Sequence, residues 1–375
     1  MLSVVALPVR KRKGMRENKL KINFNPGPAA LPYVVLQEAS EAILNYNNTG
    51  LSILSIPHRG KLFTDILEES KQLVKELCCI GDDYEVLWMQ GGGRMQFCMV
   101  PMNFLSQGQV AAYVDSGYWS ADAIAHANYY GDVKVLSSSQ QDNYAHLPEL
   151  PSGIPAGTAY LHFTTNNTIY GTQWKDIPKC SVPLIADMSS DIFSMRRNYA
   201  NCDLFYAVAQ KNIGPAGATL VVVKKDLLHK VNPGLPPMLS YAGHAKAGSV
   251  LNTPPVFAIY TSLLTLRWTK EKGIDNIESD NKTKASLLYE EVERNDLFVC
   301  NVHEADRSIM NVCFGAVNKA HEKMFIDFCE ERNITGIEGH RSVGAFRVSL
   351  YNTITVADVL HLVAVMQEFE NLNKS

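Results

Sequence analysis

The chain has 375 residues, of which 46% are hydrophobic and 19% charged, and its formal net charge is −3. This length is sufficient for two hydrophobic cores, and the near-neutral charge excludes a protein that binds nucleic acid through a strongly basic surface. No apolar run approaches the about 20 residues that a transmembrane helix requires, so we expect no membrane partner.

The first 20 residues are weakly apolar up to Val9 and then contain the basic cluster 10–13. A secretory signal has the reverse order, with its basic residues before its apolar segment. We therefore expect residues 1–20 to form a disordered or loosely ordered leader, with Met15 as an alternative start. A nuclear or nucleic-acid signal is the other interpretation of the basic cluster.

Two amphipathic segments, 36–46 and 63–77, have helical spacing, and short apolar segments then alternate with helix-like ones. This alternation is typical of a mostly parallel β-sheet lying between helices. The predicted strands are 84–89, 110–114, 133–136, 159–163, 183–186, 204–209 and 219–223. Seven strands of this kind predict one large α/β domain.

The pattern changes after the proline-rich stretches 233–237 and 254–255. Helical spacing over 256–270 and 276–295 leads into a mixture of strands and helices, which predicts a smaller α+β domain. Its predicted strands are 297–302, 309–314 and 345–350, and its predicted helices are 319–332 and 356–373.

The eight cysteines are scattered, and only Cys78 and Cys79 are close together in sequence. An adjacent pair has neither the spacing of metal ligands nor that of a redox motif, so we predict reduced thiols, a cytoplasmic location and no metal site.

Lys211 lies between the predicted strands 204–209 and 219–223 and is followed by the small residues Gly214, Ala216 and Gly217. Partial burial lowers the pKa of a lysine and favours the neutral amine that attacks an aldehyde carbon. Lys211 is therefore a candidate Schiff-base lysine. The alternative is an ordinary solvated lysine in a hairpin turn.

Other candidate functional residues also follow predicted strands. Gly91, Gly92 and Gly93 precede Arg94 at the start of a helix-like run, where exposed backbone N–H groups and the helix dipole favour a phosphate. Asp187 ends a central strand, at the sheet edge where α/β proteins bind ligands. The alternatives are a plain tight turn for the glycines and a helix N-cap for the aspartate.

Aromatic and basic residues complete the candidate set. Trp119 follows the strand 110–114, where an indole can stack on an aromatic cofactor, although a packed tryptophan is the alternative. Arginines are accompanied by histidines, and several of them lie in predicted loops, which indicates a substrate with more than one anionic group unless they form surface salt bridges. These residues are His58, Arg59, His340, Arg341 and Arg347.

From about Asn23 to the C-terminus, the chain resembles the phosphoserine aminotransferases, which are pyridoxal-phosphate enzymes of fold type I and aminotransferase class V. Nine motifs in the same order carry this resemblance. They are NFNPGPA at 23–29, SIPHRGK at 55–61, GGGRMQF at 91–97, GYW at 117–119, NTI at 167–169, ADMSS at 186–190, AQKNIGPAG at 209–217, NTPP at 252–255 and GHR at 339–341. With this fold, we expect a large cofactor-binding domain at 33–273 and a small domain formed by 21–32 and 274–375.

The resemblance implies that pyridoxal 5'-phosphate is the cofactor and that Lys211 and Asp187 are catalytic. Lys211 would form the Schiff base, and Asp187 would hold the pyridine nitrogen. Further cofactor contacts are implied for Trp119 on the ring, Thr168 on the phenolic oxygen, and Gly93, Arg94 and Gln210 on the phosphate. Asn252 and Thr253 would reach the phosphate from a second subunit, so a homodimer with shared active sites is expected.

The resemblance also implies that His58, Arg59, His340, Arg341 and Arg347 bind substrate. The expected reaction transfers an amino group from glutamate to 3-phosphohydroxypyruvate in serine biosynthesis, and the related 4-phosphohydroxy-threonine reaction of vitamin B6 biosynthesis is a further candidate. One alternative is another class V aminotransferase that acts on a different small keto acid. The other alternative is a non-catalytic protein of this fold, but such a protein is expected to have lost Lys211 or Asp187.

Overall fold

The computed structural model describes residues 21–150, 153–340 and 345–374. The predicted leader at 1–20 lies outside these described residues. The strands are β1 (Ile22–Asn23), β2 (Tyr84–Met89), β3 (Val110–Asp115), β4 (Asp132–Ser138), β5 (Thr158–Thr164), β6 (Leu184–Asp187), β7 (Leu204–Val208), β8 (Thr219–Lys224), β9 (Phe298–Val299), β10 (Asn311–Ala316), β11 (Ile334–Thr335) and β12 (Phe346–Ser349). The α-helices are α1 (Tyr33–Asn45), α2 (Lys61–Cys78), α3 (Gly92–Phe104), α4 (Tyr118–Ala127), α5 (Lys225–Leu228), α6 (Tyr241–Lys246), α7 (Val256–Lys272), α8 (Ile274–Arg294), α9 (Ala320–Glu331) and α10 (Val356–Asn373).

Within the described residues, a seven-stranded sheet has the strand order β2-β8-β7-β6-β5-β3-β4. All of its strands run parallel except β8, which is antiparallel to both β2 and β7. The predicted mostly parallel α/β sheet is confirmed, and each of the seven strands predicted for it overlaps an observed strand with ends that agree within two residues.

The central strands are apolar on both faces because helices cover both sides of the sheet. All five residues of β7 are buried. One face packs against α1, α2 and α7, and the other packs against α3, α4 and α6. Since β2, β3, β5, β6 and β7 run in the same direction, the segments that follow them meet at one edge of the sheet.

A second core lies between α8, α9, α10 and the antiparallel sheet of β9, β10 and β12. Phe298, Phe314, Phe325 and Phe346 pack edge to face or tilted in its centre. Strand β1 pairs with β11, and Phe24 is buried in the same core. This pairing supports the assignment of 21–32 to the small domain, although the predicted domain boundaries stay a prediction.

The predicted strand 297–302 is observed only as the two residues of β9. After Val299 the chain leaves the ladder with β10, and the N–H of His303 donates to the carbonyl of Ala145 at 2.9 Å. In the described ranges, none of the helices combines the length and apolar character that crossing a bilayer requires.

Candidate active site

A cavity of about 260 Å³ opens beside the carboxyl ends of β5 and β6 and the turn after β7. Six of the predicted cofactor-binding residues line it: Gly93, Arg94, Trp119, Asp187, Gln210 and Lys211. The structure thus brings together residues, some of them more than 100 positions apart in sequence, because each of them ends or follows a strand that ends at this edge.

Lys211 lies in a tight turn between β7 and β8. The backbone N–H groups of Lys211, Ile213 and Gly214 all donate to the carbonyl of Ala209, at 2.7, 3.2 and 2.8 Å. A Cβ at Gly214 would collide with Ser262 of α7, so only glycine fits here. Burial lowers the pKa of Lys211 to about 8, and the positive charge of Arg347 also lowers it, whereas Asp187 raises it.

Asp187 is the last residue of β6 and is buried. One of its carboxylate oxygens accepts a hydrogen bond from the N–H of Ser189 at 2.9 Å. Burial raises the pKa of Asp187, while the bonds from Ser189 and the charge of Lys211 lower it. The pocket therefore holds a buried carboxylate and an amine of lowered pKa that influence each other's ionisation.

The glycine triplet forms the N-terminus of α3. Gly91 has φ +92°, and a Cβ there would lie 2.6 Å from the Cβ of Met95, so the turn requires glycine. Gly93 and Arg94 lie in the first turn of the helix, where backbone N–H groups have no partner within the helix. This end of α3 faces the cavity and is suited to a phosphate.

The guanidinium of Arg94 has partners of its own. Its Nε donates to Asp122 at 2.9 Å, and its Cζ lies 5.3 Å from the centre of the Trp119 ring. The backbone N–H of Arg94 is therefore the better candidate for the expected phosphate contact.

Trp119 is held in place by hydrogen bonds around the start of α4. Its indole Nε1 donates to the hydroxyl of Thr168 at 2.9 Å. Asp115, at the end of β3, accepts hydrogen bonds from Ser120, Ser138 and Tyr144 at 3.1, 2.7 and 3.2 Å. The three hydroxyl contacts fix the segment that carries Trp119 at the wall of the cavity.

Arg347 on β12 borders a neighbouring cavity of about 350 Å³, which His340 also lines. Its NH1 group donates to the carbonyl of Thr168 at 3.4 Å, and its buried Nε has no hydrogen-bond partner within the described residues. Burial lowers the pKa of Arg347. A buried guanidinium with an unused donor is suited to a carboxylate or phosphate. Arg341, predicted beside it, lies outside the described residues.

The remaining predicted site residues do not line the cavity that contains Lys211. His58 and Thr253 share a separate surface groove with Pro254. Asn252 lies beside Gln90, with its Nδ2 3.5 Å from the Gln90 Oε1. Arg59 lines neither the cavity that contains Lys211 nor the groove that contains His58. Their roles stay predictions.

Sequence reasoning missed several polar residues that line the cavity. Thr164 is the last residue of β5 and Asn166 comes just after it, and Ser189 and Ser190 follow β6. The signal was available, since polar residues at the carboxyl ends of buried strands are placed at the ligand-binding edge. Phe97 of α3 also lines the cavity, but on the sequence it is indistinguishable from a core residue.

The donor set around the cavity fits pyridoxal phosphate. An amine, a buried carboxylate, an aromatic ring and a helix N-terminus correspond to the aldehyde, pyridine nitrogen, ring and phosphate of that molecule. Across the part of the chain that the structure describes, no three His, Cys, Asp or Glu side chains are grouped so that they could hold a metal ion.

Fold and site together define an aminotransferase of the α/β type. Residues 22–362 match the family model described as Aminotransferase class-V, and the chain belongs to this family. Within the class, its similarity is to phosphoserine aminotransferases. That of Flavobacterium psychrophilum is 46% identical over 353 residues, which cover 94% of this chain and 99% of the relative. That of Bacillus subtilis is 41% identical over 354 residues, which cover 94% of this chain and 99% of the relative.

Solved structures agree with these relatives. Phosphoserine aminotransferase from Bacillus circulans subsp. alkalophilus superposes with a TM-score of 0.91 at 39% identity, covering 94% of this chain and 98% of that one. The pyridoxal-phosphate-bound enzyme from Trichomonas vaginalis gives a TM-score of 0.87 at 31% identity, covering 92% and 99%. The resemblance inferred from the sequence motifs is confirmed.

Proposed function

We propose that this protein is a pyridoxal-phosphate-dependent aminotransferase that transfers an amino group from glutamate to 3-phosphohydroxypyruvate, giving 2-oxoglutarate and phosphoserine. The observation that carries the proposal is that Lys211, with a pKa lowered to about 8, lines one cavity with the buried Asp187. Relatives at 41 to 46% identity named phosphoserine aminotransferase support the choice of substrate.

When bound, the cofactor would supply an electron sink that stabilises negative charge at the substrate Cα. Lys211 would bind its aldehyde carbon, and Asp187 would accept a hydrogen bond from the protonated pyridine nitrogen. The first turn of α3, at Gly93 and Arg94, would hold the phosphate. The Thr168 hydroxyl accepts from Trp119, so its own proton is available for the phenolic oxygen.

The amine of Lys211 is suited to move the Cα proton. With a pKa of about 8, about one lysine in ten is neutral at pH 7, and a base of this strength can both accept and return a proton near neutral pH. Asp187 is buried, which supports a role beside the cofactor rather than in proton exchange with solvent. The two residues therefore divide proton transfer and charge stabilisation between them.

Arg347 is the candidate ligand for a substrate carboxylate because its Nε has an unused donor in a buried setting. We propose that His58, Arg59, His340 and Arg341 serve the second anionic group. Glutamate carries a second carboxylate and the keto acid a phosphate, so this part of the site must accept both.

We also propose that the active enzyme is a homodimer with shared sites. Large apolar side chains are exposed on α1 and on the segment after it, which favours a protein partner. They are Tyr33, Val34, Leu44, Leu51 and Leu54. The groove that contains His58 and Thr253 is separate from the cavity of Lys211, so these residues would complete the site of a second copy. A cytoplasmic location remains the expectation.

The substrate assignment is tested by steady-state kinetics with glutamate and one keto acid at a time. 3-Phosphohydroxypyruvate should give a kcat/KM at least about 100-fold above that of unphosphorylated hydroxypyruvate, since a bound phosphate forms charge-assisted hydrogen bonds with arginine. Equal values for the two, or a preference for glyoxylate, would favour another class V activity. The 4-phosphohydroxy-threonine reaction is measured in the same format.

The shared-site proposal is tested by mixing two inactive variants, Lys211→Ala and Asn252→Ala, after reversible dissociation. If sites are shared, each mixed dimer contains one unaltered site, and about a quarter of wild-type activity returns. If each site is built from one chain, the mixture stays as inactive as its components.

A further inference from the structure

Lys284 on α8 is a buried lysine outside the candidate active site. Its side chain is fully buried, and its Nζ donates to the carbonyls of Leu350, Tyr351 and Ile354 at 2.8, 3.1 and 2.9 Å. The three N–H donors of the ammonium thus match three acceptors. Lys272 disfavours its charge from a distance while Asp280 and Asp358 favour it, and all three hydrogen bonds go to peptide carbonyls.

Burying a charge is unfavourable unless its hydrogen bonds are satisfied, so the contacts of Lys284 require an explanation. All of them lie on one turn, 350–354, which directly follows β12. Burial lowers the pKa of Lys284 to about 7. The three hydrogen bonds from Nζ oppose this effect of burial, so in its charged form the amine acts as an internal cation that gathers the carbonyls of this turn.

The 350–354 turn also contacts the segment that follows Lys211. The backbone N–H of Asn352 donates to the Oδ1 of Asn212 at 3.1 Å, and the Nδ2 of Asn212 donates to the carbonyl of Ile192 at 3.1 Å. Asn212 is the residue next to Lys211 in sequence. The position of the turn therefore limits where the Lys211 backbone can lie.

The same turn contacts the segment that follows Asp187. The Nδ2 of Asn352 donates to the carbonyl of Phe193 at 2.9 Å. Phe193 has φ +57°, an unfavourable conformation for a bulky residue that requires support from its surroundings. Asn281, one helical turn before Lys284 on α8, donates to both Ser194 and Asn352, at 2.9 and 3.0 Å.

We propose that Lys284 is a positioning residue for the active site, because its ammonium fixes the 350–354 turn and this turn sets the Lys211 and Asp187 segments relative to each other. This inference rests on the proposed function, in which Lys211 and Asp187 hold the cofactor. Lys284 itself is separated from the cavity by Asn352 and Asn212, so it acts through these residues.

The test replaces Lys284 by methionine, which has a similar length but neither charge nor donors. In the cofactor-loaded enzyme, the pH midpoint of the visible cofactor absorption should move by about 0.5 unit or more, because Lys211 and Asp187 set it. We expect kcat to fall at least about tenfold, while KM for glutamate changes less than about threefold. Arg347 is held by the β10–β12 ladder, which explains the small change in KM.

The matched control is Lys282→Met on the same helix, which removes an exposed ion pair with Glu278. It should leave the midpoint and kcat unchanged. If Lys284→Met lowers only the melting temperature and keeps the wild-type midpoint and kcat, the proposal is wrong. A measurement on the wild-type enzyme distinguishes this result from a failure of the proposed function. If the wild type with added cofactor shows no visible absorption that depends on Lys211, the proposed function is wrong, whatever Lys284→Met does.

Asn352→Ala tests the contact between the 350–354 turn and the Lys211 and Asp187 segments without removing Lys284. If Lys284→Met does not fold, this variant alone tests the proposal. It should move the absorption midpoint in the same direction as Lys284→Met. Where both variants fold, the double variant should shift it by less than the sum of the single shifts, since both act along one path. Additive shifts, or no shift with Asn352→Ala, would overturn the proposal.

Discussion

If Lys211 binds the cofactor as proposed, its lowered pKa determines how fast the cofactor-free protein can capture pyridoxal phosphate. The neutral amine is the form that attacks the aldehyde. Burial moves the pKa from 10.5 to about 8, so at pH 7 the neutral fraction is about 300-fold larger than for a solvated lysine. We predict that the capture rate rises with pH and levels off above about 8.

The sign of this effect can be checked with a charge variant. Asp187 raises the pKa of Lys211, so Asp187→Asn should lower the midpoint of the capture rate below that of the wild type. The assay removes the cofactor, mixes the protein with excess pyridoxal phosphate between pH 7 and 10, and follows the visible absorption. Lys323→Met is the control, because Lys323 is an exposed partner of Asp327 on α9.

Stability gives an independent measure of the same pKa. A folded-state value near 8 and an unfolded value of 10.5 mean that the unfolded chain binds more protons between these pH values. The contribution of Lys211 to the unfolding free energy of the cofactor-free protein should therefore increase from about pH 8 to 10.5 and be smallest below pH 8. A capture midpoint near 10.5, or a rise in the midpoint with Asp187→Asn, would refute the reasoning.

Three further substitutions test other parts of the site. Arg347→Met should raise KM for glutamate at least about tenfold in steady-state assays, because a carboxylate loses its charge-assisted hydrogen bonds; an unchanged KM would contradict this role. Gly91→Ala should lower the unfolding free energy by about 2 kcal/mol, because the residue has φ +92° and its Cβ would approach Met95; urea titration measures it. Asp191→Asn should cost about 3 to 5 kcal/mol, since it leaves the buried guanidinium of Arg197, 2.7 Å away in the wild type, without its charge partner. A loss below 1 kcal/mol, on the order of a surface ion pair, would contradict the last prediction.

The central sheet could be predicted from the sequence because its strands are buried on both faces and are therefore continuous apolar segments. The strand 84–89 was predicted with the bounds observed for β2. Shorter elements left no such pattern. Strands β1 and β11 are two residues each, and their pairing depends on the burial of Phe24 in a distant core rather than on local periodicity.

The candidate site was predictable where residues follow central strands. Lys211, Asp187 and Trp119 lie in one cavity because β7, β6 and β3 end at the same edge of the sheet. Lys284 was not predictable, because in sequence it lies among the polar residues of an amphipathic helix and is indistinguishable from a solvated lysine. Only the position of the 350–354 turn shows that its amine is buried.

The charges around Lys211 suggest how substrate binding and proton transfer are coupled. In the described structure, Arg347 lowers the pKa of Lys211, and Asp187 raises it. A substrate carboxylate on Arg347 would neutralise part of this positive charge, so the pKa of the Lys211 amine would rise when the site is filled. The base that must take the Cα proton would then be strengthened by the same contact that places the substrate. Arg347 would thus contribute to both binding and proton transfer without contacting the reacting carbon.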